Sequence, residues 1–175
     1  MKRAVTGMLA ITLLAGFGAL AHDPIVPVGA RVRATGAAAV ADRFTLSSSQ
    51  IEETGLMFVG LADVTIGSTT TSTMKFTIDG ATMHGMDMTT DCQTSFTVLS
   101  KVTDPDTATV GASTLYLTSF SFLLSGSPQS FTVAAPPFVG YSLPSDTLTS
   151  VEMVGVRADV ATMTLHNFSQ QLVAC

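Results

Sequence analysis

One spacing recurs along the chain and limits what it can fold into. Two pairs of alternating apolar residues flank a small or turn-prone pair, h-x-h-x-x-h-x-h. Ala81-x-Met83 continues across His84-Gly85 into Met86-x-Met88, and Leu115-x-Leu117 continues across Thr118-Ser119 into Phe120-x-Phe122. Val151-x-Met153 crosses Val154-Gly155 to Val156-x-Ala158, and Met163-x-Leu165 crosses His166-Asn167 to Phe168. A weaker copy runs from Ile51 across Thr54-Gly55 to Leu56-x-Phe58, with Glu53 in an apolar slot. In a strand, residues two apart share a face, so a step of three sends the second half to the opposite face. All four apolar residues reach one core only if the chain takes up an extra residue at the central pair. A β-bulge or a sharp corner does that, and Gly suits the positive φ such sites use.

The rest of the chain agrees with strands. From residue 42 onward Thr, Ser, Val, Leu, Met and Phe dominate, the mixture that suits half-buried β-surfaces. Turn signals fall at residues 67–73, at Asp104-Pro105-Asp106, at Gly126-Ser127-Pro128 and at residues 136–146. No window holds the i, i+3, i+4, i+7 period of a helix over three turns. The expectation is a single all-β domain over residues 42–175, a two-layer sandwich or open barrel of bent and bulged strands. The kinks are irregularly spaced, which leaves a short solenoid-like β stack as the alternative.

Residues 1–21 read as a signal helix. Met1-Lys2-Arg3 is a basic start, residues 4–21 are apolar and uncharged, and Ala19-Leu20-Ala21 offers the small residues that signal peptidase reads. Cleavage after Ala21 makes His22 the mature N-terminus. An uncleaved anchor is the alternative, because the run just reaches the length of a span. Residues 22–41, rich in Pro, Gly and Ala, read as a linker with a short edge strand near residues 31–35; the alanines at 37–41 suit one helical turn. Export to the cell envelope or beyond follows, with no transmembrane span once the leader is removed. Outside the cytoplasm Cys92 and Cys175, the only cysteines, are expected to form a disulfide. It would close a loop of about 80 residues, worth about 4 kcal/mol in the chain-entropy model. The alternative is two unrelated thiols, with Cys175 pairing to another chain.

Composition then removes whole classes of activity. A net charge of −5 leaves no basic face for nucleic acid. With 46% hydrophobic and 12% charged residues the chain is not disordered by composition. It contains no G-x-S-x-G elbow and no phosphate-binding glycine loop, so neither a serine hydrolase nor a nucleotide enzyme is announced. Asp87, Asp91, Asp104 and Asp106 fall at turns or strand exteriors, where solvation is the expected role.

Two clusters remain. Met83, His84, Met86 and Met88 combine thioethers with an imidazole, a soft set suited to Cu(I), with His22 or His166 as further ligands. Yet the three methionines occupy slots that Leu, Phe and Val fill in the other copies, so core packing explains them without copper. Phe120, Phe122, Phe131 and Phe138 either line a pocket for an apolar ligand or belong to a central strand covered on both faces.

Residues 46–58 (LSSSQIEETGLMF), residues 79–94 (DGATMHGMDMTTDCQT) and residues 146–172 resemble a family of uncharacterised secreted β-rich proteins of high-GC Gram-positive bacteria. Some members carry a "cholesterol esterase" label, which the missing nucleophile motif does not support here. The resemblance implies an exported, envelope-associated protein and transfers no functional residue. The expectation is a non-catalytic structural or binding module, without cofactor, for an apolar lipid-like ligand or an envelope protein. The alternative is an exported copper-binding protein.

Overall fold

The computed structural model describes residues 32–40, 43–90 and 98–174, with side chains from 43 to 90 and from 103 to 169. Among these residues there is no helix. The strands are β1 (Val32–Val40), β2 (Phe44–Ile66), β3 (Thr69–Ile78), β4 (Gly80–Thr90), β5 (Val98–Val110), β6 (Ser113–Leu124), β7 (Ser127–Thr132), β8 (Ser142–Leu165) and β9 (Ser169–Ala174). They form one antiparallel sheet in the order β1-β8-β5-β4-β2-β3-β6-β7, with β9 on β5 and β8 also joined to β2 and β6.

Those extra pairings close the sheet on itself twice. One circuit runs β8–β5–β4–β2 and back to β8; the other runs β2–β3–β6–β8 and back to β2. The two longest strands, β2 with 23 residues and β8 with 24, are walls of both circuits. The result is the expected all-β, ring-like sandwich or open barrel. In a solenoid each repeat touches only its neighbours, whereas β8 pairs with β1, β2, β5 and β6.

The bent strands explain how one core is reached. Met83, Met86 and Met88 are all buried, as are Leu117, Phe120 and Phe122, and Val151, Met153, Val156 and Ala158. In the weaker copy Ile51, Glu53, Leu56 and Phe58 are each 2% exposed or less. The extra residue is absorbed in two different ways. β2 pairs with both β4 and β8 without a register shift, and Ile51 lies opposite Met83 on one side and Leu148 on the other. Their steps of three, Met83 to Met86, Ser48 to Ile51 and Leu148 to Val151, therefore sit side by side, and three strands turn one corner together. Gly85 (φ 60°) and Ser150 (φ 51°) take the left-handed backbone that the corner requires. The Ser48 and Ser49 hydroxyls both donate to the His84 carbonyl there, at 2.7 and 2.8 Å. A second corner follows at Gly55 (φ 69°), where a side chain would strike the Asp79 carboxylate.

Between β4 and β5 the same kink is a bulge. The register slips between His84 and Met86, and Gly85 alone spans Pro105 and Asp106. Proline has no N–H to give the ladder, so the unpaired position suits it. Asp104-Pro105-Asp106 is thus a bulge inside β5 rather than a turn between strands. The register of β6 on β8 also slips at Thr118-Ser119. The last copy differs in kind: His166-Asn167 is the turn from β8 to β9, not a bend within one strand.

Two expectations need correcting. Residues 32–40 form β1, an antiparallel strand along β8 that includes Ala37, Ala38 and Ala39 of the run expected to make a helical turn. Backbone pairing with β8 decides their state, since alanines flanked by Gly gain too little from one helical turn. At residues 67–73 only Gly67 and Ser68 make the hairpin, and the threonines enter β3, as their β-branching favours.

Aromatic rings thread the second circuit. Phe58, Phe76, Phe120, Phe122, Phe131, Tyr141 and Phe138 contact in sequence, with neighbouring centroids 4.7 to 6.1 Å apart in tilted or edge-on geometry. Each fully buried ring contributes about 1.5–3 kcal/mol of transfer free energy.

Candidate functional site

The sheet divides the methionine–histidine cluster. Met83, Met86 and Met88 face the core. His84, next to Met83 in a pleated strand, points to the opposite face. Its Nε2 lies 3.6 Å from Glu52 Oε1. His166 sits in the β8–β9 turn, where its main-chain N–H, not its ring, donates to Asp104 Oδ2 at 2.9 Å. His22 lies outside the described residues, as do Cys92 and Cys175. What the fold brings to Met83 and Met88 instead is Met153 and Met163, around an apolar cavity of about 70 Å³ also lined by Phe44 and Ile51.

Of the phenylalanines singled out by sequence, Phe120 and Phe122 are buried, Phe131 is half-buried and Phe138 is 73% exposed. None of the four lines that cavity. Phe138 instead joins an apolar surface. Gly140 N–H donates to the Phe58 carbonyl at 3.1 Å and Phe58 N–H to the Tyr141 carbonyl at 2.8 Å, which fastens the loop before β8 to β2. Met57, Val59 and Leu61 on the outer side of β2, with Phe138 and Val139 on the loop, are the large hydrophobics exposed along this seam.

Asp104 overturns its expected solvation. Its side chain is fully buried; Oδ1 accepts the Asp106 N–H at 3.1 Å and Oδ2 the His166 N–H. The bulge at Pro105 turns it inward opposite Met86. Two main-chain donors satisfy the carboxylate, so its part is structural.

Glu53 has no such resolution. It lies opposite Asp146 of β8, 2% exposed. Its Oε2 accepts the Leu56 N–H at 3.0 Å across the corner at Gly55, while Oε1 is buried with no hydrogen-bond partner. The Asp146 main-chain N–H also favours the charged form. Burial pushes the Glu53 carboxyl above its ordinary range, the Leu56 N–H opposing and the Asp146 charge adding to the rise. Tyr141 is raised likewise, first by burial and then by the charges of Asp146 and Glu53. Sequence reasoning marked Glu53 only as an acid in an apolar slot; nothing local tied it to Asp146.

Glu53 and Asp146 border an open polar pocket of about 720 Å³, with Glu52, the hydroxyls of Thr54, Thr82 and Ser145, and the Ser125-Gly126 turn of the β6–β7 hairpin on its walls. Among the described residues no three His, Cys, Asp or Glu side chains converge to hold a metal. No protein-family model matches the chain, and no curated protein or solved structure matches it either.

Proposed function

We propose that the protein is an exported, non-catalytic β-domain, envelope-associated or extracellular, that engages an apolar partner through its surface. The observation carrying this reading is the exposed apolar seam of Val59, Leu61, Phe138 and Val139 beside the loop fastened to β2. Apolar patches of this kind mark contact sites for proteins or lipids. The interior is a poorer candidate. Its apolar cavity, about 70 Å³, falls well short of the roughly 300–1,000 Å³ of ligand pockets. Aromatic rings fill the remaining space, so a lipid-like ligand meets the protein from outside.

The test is flotation of the purified protein with phosphatidylcholine–phosphatidylglycerol vesicles, together with extraction of the natively isolated protein for retained lipid or protein. Wild type associates, and the double variant Leu61→Ser, Phe138→Ser loses association while its melting temperature holds. A wild-type protein that neither floats nor retains a partner, or a double variant that behaves like wild type, overturns the reading.

A further inference from the structure

We infer that the methionine-lined cavity in the core is a binding site for a small, uncharged, polarisable guest, of the size of xenon or propane. This stands independently of the apolar seam.

Three observations carry it. Among the described residues the wall is apolar but for one hydroxyl, that of Ser113, which already donates to the Gly111 carbonyl at 2.8 Å. A space of about 70 Å³ would admit water, but a buried water needs about two to four polar partners, so this one stays dry. Next, the sequence itself leaves the space open. Ala81 and Ala158, both on the wall, hold the first and last slots of their copies of the bent-strand pattern. Other copies put Ile51, Leu115 or Val151 in the first slot and Phe58, Met88 or Phe122 in the last. Finally, the thioethers of Met83, Met88, Met153 and Met163 stand on the wall. Sulfur is polarisable and the methionine chain adapts its rotamers, so these side chains gain on a guest the dispersion contacts that an empty void forfeits.

Size and charge narrow the class. An apolar cavity of about 150 Å³ takes benzene or xenon; about 70 Å³ leaves room for the smaller of the two. No charged side chain stands on the wall among the described residues, so a soft cation would give up its hydration with no anion to replace it. The guest is therefore neutral.

The experiment is xenon titration of the full protein, read through isotope-labelled methionine methyl groups by NMR. Saturable shifts are expected at Met83, Met88, Met153 and Met163, and none at Met74 or Met86, which are buried away from the cavity. Benzene is expected not to bind. Ala158→Leu, which fills the space, is expected to weaken xenon at least tenfold. Ala81→Val adds less bulk and is expected to weaken it in the same direction, which keeps the test open if Ala158→Leu does not fold; thermal melts establish folding. No saturable shift, equal shifts at Met74 and Met86, binding of benzene, or folded filled variants that take up xenon like wild type would each overturn the proposal.

Discussion

The far edge of the Phe44 ring fills the space beside Gly155, its direct partner across β2 and β8, where a side chain would stand. Any side chain at 155 would enter the space held by the ring, and Phe44 is itself 3% exposed with little room to retreat. Gly155→Ala is therefore expected to destabilise the fold by about 1–3 kcal/mol, the usual cost of overpacking a core. Phe44→Leu in the same chain should recover part of that loss. Urea denaturation of the two single variants and the double variant checks it, and additive effects would deny that the two residues compete for one space.

Asp104 joins the bulge in β5 to the turn after β8 through two main-chain donors. Asp104→Ala leaves both part-buried N–H groups without their acceptor, at a combined cost of about 1–3 kcal/mol. Asp104→Asn keeps one acceptor oxygen and should fall between Ala and wild type. His166→Ala should be nearly silent, because the contact uses the backbone. Thermal melts of the three variants separate these outcomes, and an Asp104→Ala protein as stable as wild type would contradict the assignment.

The buried Glu53 sets a pH dependence of definite sign. Its folded-state carboxyl is raised above the ordinary value of 4.5, so the folded protein holds this proton more tightly than the unfolded chain does. The stability it contributes is fully present below 4.5 and is lost as pH rises through the folded-state value. Glu53→Gln, which cannot ionise, should flatten this component and gain on wild type toward neutrality. Urea midpoints of both proteins between about pH 4 and 7.5 measure it. A difference that stays constant across that window would contradict a folded-state rise at Glu53. Tyr141, raised first by burial and then by the charges of Asp146 and Glu53, adds a loss of the same sign only above about pH 10.

For the methionines, packing and copper make opposite predictions. Met86→Leu with Met88→Leu conserves volume and is expected to cost no more than about 1.5 kcal/mol per site. Cu(I) affinity in a competition titration should be unchanged. A clear loss of affinity would return weight to the copper reading, with Met153 and Met163 as the further thioethers to replace.

How much of this was legible from sequence depends on how local each feature is. The bent-strand pattern announced its own burial, because period and kink reside within eight consecutive residues; Met83, Met86 and Met88 needed no knowledge of their neighbours. Whether a kink becomes a corner or a bulge was not legible. Gly85 takes part in both, a corner shared with β2 and a bulge against β5, and only the partner strand decides. β1 was obscured because its alanines do not alternate with polar residues and its state depends on pairing with β8. Asp104 was misread because a Pro-flanked acid resembles a turn until the bulge carries it inward. Glu53 and Asp146 lie far apart in sequence, so the lone acid in an apolar slot was the only trace of their pairing.

Because β2 and β8 serve both circuits, neither half of the molecule can close without the other. Most of its ladder joins segments distant in sequence, and the loop-closure entropy must be met before those pairings stabilise anything. Assembly is then expected to be slow and all-or-none, with no sub-barrel outliving its twin. A cut or a proline in the middle of β2 would unzip two rings at once.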